Sequence, residues 1–424
     1  MPFHPTRRAL LQSLAAAPAL AKAPVAAADL PPSIAALKSR AAEARPITPA
    51  ERHQRIEQAQ RLMRAQKIAA VCIAGGASMT YFAGLRWGNS ERPLILVLPA
   101  SGEPFFVLAA FEEGRARQQL AAAFPGEKLV VITWEEDDNP YDKVAAELKA
   151  RGLATGSVGI EETMPFAFSD GIAKALPSSA VVSATPVTAG CRMIKSQHEL
   201  DLLQLANEAT LAAFAAAWRE IRPGMSAGDI SSLIASAHQQ LGFRGYAMVL
   251  LNESSALPHG SSTPQVVREN SVVLLDGGCT AQGYESDISR TFVVGKPNDR
   301  MRSVFDIVHR AQAEALRAAR PGVPCASVDR AARKVIEDAG YGPGYKYFTH
   351  RLGHGVGLEG HEWTYLRPGN PIPLEAGMCF SDEPGIYIPG EFGLRLEDCF
   401  HVTPDGARMF TPPSASLERP FDAP

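Results

Sequence analysis

The spacing of apolar positions changes several times along the chain, and each change predicts an element. Residues 29–47 are rich in alanine and proline without a sustained period and read as a loosely held lead-in. Between 51 and 66, Ile56, Ala59, Leu62 and Met63 recur at helical spacing among charged residues, which predicts an amphipathic helix. Short apolar runs at 69–73, 94–98, 105–108, 129–133 and 158–160 read as strands, with a helix from about Glu112 among them. Strands alternating with helical stretches predict an α/β domain over residues 48–187.

A second unit is expected over residues 193–415. An alanine- and leucine-rich helical stretch at 199–220 is stopped by Pro223-Gly224, and another helix is expected at 227–242. Two more helices are predicted at about 302–319 and 326–339. Strands between and after these pairs carry almost all the acidic and histidine signals. A helix pair followed by strands therefore occurs twice, without a clear residue-level repeat. This is an α+β arrangement.

The chain has 424 residues, of which 46% are hydrophobic and 21% charged, enough for two globular domains with a core each. A formal charge of -3 leaves no basic excess to neutralise phosphates, which excludes a nucleic-acid binder. No run of eighteen apolar residues marks a membrane span. Residues 1–28 read as an export signal: Arg7-Arg8, then Leu10, Leu11, Leu14 and a run of alanines, with a small-residue cleavage site at Ala26-Ala27-Ala28 before Asp29. The paired arginines resemble a twin-arginine signal, which implies a periplasmic or otherwise exported protein, free of the membrane after processing. None of the six cysteines forms a Cys-x-x-Cys pair, so buried free thiols are expected, with a Cys379–Cys399 bridge left open.

Acidic residues recur within apolar hairpin-like segments. Val272-Val273-Leu274-Leu275-Asp276-Gly277-Gly278 precedes Tyr284-Glu285-Ser286-Asp287-Ile288 across a polar, glycine-containing turn. A hairpin centred between Ala281 and Gln282 would set Asp276 opposite Asp287, with Cβ atoms about 5 Å apart. Facing carboxylates repel unless a cation lies between them or one takes up a proton. Taken alone, Asp276 could equally begin a turn and Asp287 sit on an exposed face. The pattern returns around Gly390, the midpoint of Glu383 and Glu397. There Glu397 lies within the alternation of Leu394, Leu396 and Cys399, where a charge needs a partner.

The stretch from Phe348 to Glu362 adds His350, His354 and His361 among glycines, and His259 follows Pro258. Four carboxylates and an imidazole form a mostly hard ligand set. It suits two divalent ions sharing bridging carboxylates, with manganese favoured and zinc or cobalt also open.

These strings, together with Arg395-Leu396-Glu397-Asp398, resemble those of the Xaa-Pro peptidases (metallopeptidase family M24), which include aminopeptidase P and prolidase. The likeness spans about residues 48–412. Tyr81-Phe82-Ala83-Gly84 and Glu91-Arg92-Pro93 are similar to segments of that family's creatinase-like N-terminal domain. The resemblance implies a creatinase-like domain followed by a pita-bread catalytic domain. It implies that Asp276 and Asp287 bind one metal, that His354 and Glu383 bind the second, and that Asp287 and Glu397 bridge. Glu383 would also act as general base. His259 and His361 would stabilise the oxyanion and protonate the proline nitrogen. His350, Tyr387 and Arg395 would contact substrate or support the ligands. The implied partners are proline-containing peptides and further copies of the chain, as a homodimer or homotetramer.

Within the family, removal of the first residue from Xaa-Pro peptides is the expected activity, with the Xaa-Pro dipeptidase as alternative. Trp87, in the loop Arg86-Trp87-Gly88-Asn89, could reach a neighbouring subunit's site and restrict substrate length, or simply pack within its own domain. A metal-free amidinohydrolase like creatinase, or a non-catalytic module, would lack ligands, and all five positions are filled here.

Overall fold

A computed structural model describes residues 30–422. The proposed export signal, with Arg7, Arg8 and its cleavage site, lies outside the described residues.

The N-terminal unit is built on a six-stranded mixed sheet, in spatial order Val130–Trp134, Phe105–Ala109, Ile95–Pro99, Ile68–Ile73, Ser157–Ile160 and Ala180–Ser183. Every residue of Ile95–Pro99 and Phe105–Ala109 is buried. That is why these strands read as continuous apolar runs rather than alternations. Helices Pro49–Gln66 and Thr185–Met193 contribute to the apolar cluster on one face. Pro140–Ala150 and Phe166–Ala175 cover the other through Val144, Leu148, Phe168 and Ile172. The first of these helices opens with a Thr48–Glu51 capping box and Pro49 in its first turn.

Residues 30–47 are not the loose lead-in their composition predicts. Ile34 is fully buried among residues of the long helices Gln197–Trp218 and Ala227–Gln240. Ser33 Oγ lies 2.6 Å from Glu220 Oε1, and Arg40 Nη1 donates to Glu208 Oε2 at 2.9 Å. One inserted isoleucine with two polar ties anchors a segment whose alanines and prolines show no period.

The C-terminal unit pairs helices with sheets twice. Gln197–Trp218 and Ala227–Gln240, each opened by a capping box, pack on the sheet of Arg244–Leu251, Ser271–Ala281 and Ile288–Val294. Asp299–Ala318 and Cys325–Asp338 share a core with a five-stranded sheet ordered Glu362–Leu366, Gly353–Gly355, Cys379–Asp382, Asp398–Thr403 and Gly406–Met409. The two sheets meet at one backbone bridge, Ser289 to Glu397.

Buried charge joins the two units. Arg55 Nη2 donates to Tyr284 OH at 2.8 Å and lies 3.2 Å from Glu199, to which Tyr284 OH donates at 2.7 Å. Arg192 and Lys195 converge on Glu362, with Lys195 Nζ at 2.8 Å. All six cysteines are buried and free, so Cys379 and Cys399 do not pair.

Candidate metal centre and active site

The first hairpin closes one residue later than its polar stretch predicts. Gln282 and Gly283 form the turn, at φ 52° and 93°, and Ala281 pairs with Tyr284. Positive φ at both central residues matches the twist of a two-residue hairpin. Asp276 therefore faces Ser289 rather than Asp287. Asp287 is displaced two positions along the same face, a diagonal neighbour instead of a direct one. The second hairpin keeps its predicted register. Gly385 pairs with Arg395 and Asp382 with Asp398, which leaves Glu383 and Glu397 opposite each other in the gap between two ladders.

His354 lies in the strand Gly353–Gly355. The candidate ligand atoms fall into overlapping groups, each within 4.8 Å: Asp276, Asp287 and Glu397; His354, Glu383 and Glu397; Asp287, His354 and His361. All five residues expected to bind metal are brought together, and His361 joins their edge. Its ring stacks on that of His354 with centroids 3.7 Å apart.

The electrostatics of this cluster are those of a cation site. Burial pushes Glu397 well above the usual carboxylate range, and Asp287, Glu383 and Asp276 push it further. Burial and the adjacent Asp276 raise Asp287 to about 8. Burial also opposes ionisation of Glu383, but the His354 hydrogen bond and the charges of His350, His354 and Arg395 bring it down to about 2. Without cations the cluster holds protons to contain its repulsion, and divalent ions would replace them. The donor set is oxygen-rich with one imidazole, and it fits two such ions. His354 Nδ1 lies 3.2 Å from the Gly355 carbonyl. That hydrogen bond fixes the tautomer and leaves Nε2 facing the carboxylates, 3.3 Å from Glu383.

Behind the ligands stands Arg395, 3% exposed. It donates to Asp276 Oδ2 at 2.5 Å, to Ser289 Oγ at 3.0 Å and to Tyr387 OH at 2.9 Å. Ser289 Oγ lies 2.7 Å from Glu397 Oε2, so arginine and serine hold candidate ligands from both sides of the cluster. His350 Nδ1 lies 2.8 Å from the Arg351 carbonyl and must donate to it, so Nε2 accepts from Tyr387 OH at 2.8 Å. Tyr387, expected to contact substrate or support the ligands, is 2% exposed and supports His350 from behind.

A cavity of about 820 Å³ opens onto the cluster. His259, His350, His361 and Arg395 line it together with the five candidate ligands. Tyr246, Met248, Leu257 and Arg351 also line it, and the sequence reading missed all four. Tyr246 is 65% exposed, unusual for a strand tyrosine. The missed signal was strand pairing: Met248 lies opposite Asp276, which puts Tyr246 on the same face. Trp87 lies elsewhere, under the Arg115 guanidinium at 4.2 Å and packed against its own domain's core.

Carboxylates and an imidazole gathered where two sheets meet, beside a large cavity, are a donor set of the kind a metal-dependent hydrolase uses. The sequence profile of metallopeptidase family M24 matches residues 201–404, and that of the creatinase/prolidase N-terminal domain matches residues 55–194. The chain is 37% identical over 343 residues to the "Probable dipeptidase PepE" of Mycobacterium tuberculosis, covering 80% of this chain and 89% of the relative. It is 34% identical over 355 residues to an Xaa-Pro dipeptidase of Lactobacillus delbrueckii, covering 82% and 93%. The crystal structure of dipeptidase PepE from Mycobacterium ulcerans matches with a TM-score of 0.81 at 34% identity, covering 89% of this chain and 99% of that one. The chain belongs to the M24 metallopeptidases, with a creatinase-like N-terminal domain and a pita-bread catalytic domain.

Proposed function

We propose that this chain is an Xaa-Pro dipeptidase, a prolidase, rather than the aminopeptidase that the sequence reading favours. The observation that carries a metal-dependent peptidase is the convergence of Asp276, Asp287, His354, Glu383 and Glu397 beside one large cavity. Support for the dipeptide over the longer peptide comes from the relatives, which bear the names dipeptidase and Xaa-Pro dipeptidase.

The five ligands would hold two divalent ions, manganese being the choice most consistent with an oxygen-rich set. When bound, such a pair supplies Lewis acidity and a nucleophile at neutral pH. Glu383, held ionised by its histidine neighbours, is the general base of this reading. Burial and the charges of His354 and Arg351 hold His361 down to about 4, so it is neutral near pH 7. Its Nδ1 accepts from Arg351 Nη2 at 3.2 Å, which places its proton on Nε2. That N–H can donate to an oxygen gaining charge in the cavity. His259, on the cavity wall, is assigned the matching role on the leaving nitrogen. Proline's imide has no hydrogen to offer, so the site must recognise the ring by shape.

The test is turnover of Ala-Pro against Ala-Pro-Ala by metal-loaded enzyme. Preferred cleavage of Ala-Pro is expected, and preference for the tripeptide would return the aminopeptidase reading. Export by the twin-arginine route is part of the same proposal, supported by Arg7-Arg8 and the alanine run that follows.

A further inference from the structure

His361 ends the loop 356–361, which runs between the paired residues Gly355 and Glu362. The loop is wrapped around a carboxylate. Glu362, 4% exposed, folds back beneath it, and its Oε1 accepts from Leu358 N–H at 2.9 Å. The fit is so close that a Cβ on Gly357 would fall 2.5 Å from Glu362 Oε2. One backbone N–H does not offset a buried charge. Compensation comes from outside the loop, from Lys195 Nζ at 2.8 Å and Arg192 Nε at 3.2 Å. Arg192 Nη2 donates to Glu359 as well as to Glu362, so one guanidinium grips the chain on both sides of His361.

Arg192 comes from the other unit of the protein. It lies in the last turn of Thr185–Met193, a helix held in the N-terminal core by Val187 and Cys191. Its Nη1 reaches Ser78 Oγ at 3.2 Å, and Ser78 Oγ donates to Glu161 at 3.0 Å, just past the strand Ser157–Ile160. We propose that Arg192 is a positioning residue for His361: through Glu359 and Glu362, the N-terminal unit sets where that imidazole stands beside the metal centre. This rests on the reading of His361 as the oxyanion donor. Burial, then the charges of Glu359 and Glu362, raise the carboxyl of Glu285 beside the loop. Without the guanidinium, these acids repel with less to hold them, and the loop shifts with His361 on it. A donor acts only when aimed where charge develops, and a displacement of about 1 Å costs about a hundredfold.

The experiment is a double-mutant cycle on manganese-loaded enzyme with Ala-Pro as substrate. His361→Ala alone should lower kcat by about 10²–10³. Arg192→Met alone should lower kcat by about ten- to hundredfold, with KM little changed. In the His361→Ala background, Arg192→Met should cost less than about twofold more, because the residue it positions is gone. Arg192→Lys keeps the charge without the fork, so a smaller loss with the same masking is expected, and it carries the cycle should Arg192→Met not fold. An equal loss in both backgrounds overturns the proposal, as does an Arg192→Met enzyme with the kcat of wild type. A loss cured by excess manganese also overturns it, since Arg192 would then act through the ligand His354. A harmless His361→Ala overturns the reading of His361 and the proposal with it.

Discussion

Ser289 lies in a strand of one sheet and Glu397 just ahead of a strand of the other, yet the two pair backbone to backbone. Ser289 N–H donates to the Glu397 carbonyl at 3.2 Å, and Glu397 N–H returns the bond to the Ser289 carbonyl at 3.1 Å. The Ser289 hydroxyl also reaches the Glu397 carboxylate, while Arg395 Nε donates to that hydroxyl. A fully buried serine is therefore the hinge-pin of the candidate ligand set, although no metal-binding pattern in the sequence points to it.

Ser289→Ala should fold but need more metal. Loss of a hydrogen bond that orients a ligand costs about 10- to 100-fold in metal affinity or activity. A titration of activity against manganese would show the shift, and a curve matching wild type would reject this role.

Glu383→Ala should remove turnover almost completely, because the residue is assigned both ligand and base. A loss of roughly a thousandfold or more in kcat is expected. A mild loss in metal-saturated enzyme would show that another group takes the proton.

Chelation should abolish activity and manganese should restore it. The metal-free cluster keeps protons on Glu397 and, up to about pH 8, on Asp287. Metal must displace them, so its affinity should rise as pH increases toward 8, with proton release on binding. Calorimetry in buffers of different ionisation enthalpy measures both, and metal uptake without proton release would contradict the protonated cluster.

Glu362 sets an acid limit on stability. Burial opposes its charge, but Lys195 and Arg192 win and bring it down to about 2. A carboxyl depressed from its unfolded value of about 4.3 stabilises the fold above that pH. The contribution is lost as pH falls from about 4.3 toward 2. Glu362→Gln should flatten this limb and cost about 3–5 kcal/mol near neutrality by leaving buried cations short of a partner. Denaturation midpoints across pH 2–7 that fall equally steeply in the variant would refute this.

Export should leave a mature chain beginning at Asp29. N-terminal sequencing of protein recovered from the periplasm checks it, and a different first residue would reject the cleavage site.

Much of the candidate site's layout is legible in the sequence because hairpins carry their own ruler. The Glu383–Glu397 register follows from the midpoint at Gly390, and the ladders on either side have that register. The same ruler slipped at Asp276 and Asp287, because glutamine at positive φ gives no warning and Gln282-Gly283 closes the turn. Arg351 and Tyr246 were illegible for another reason. Their role depends on which distant strands become neighbours, and local periodicity does not record that. Strand Ala180–Ser183 was missed because its apolar run, Ala180-Val181-Val182, is only three residues long between serines, and no residue in it is fully buried.

Asp276 lies in one sheet and Asp287 flanks it, whereas His354, Glu383 and Glu397 belong to the other or flank it. A pair of ions there would act as a rivet through two plates as well as a reagent. Stripping it should loosen the catalytic unit along the line between the plates, so heat resistance and chemistry would be gained and lost together.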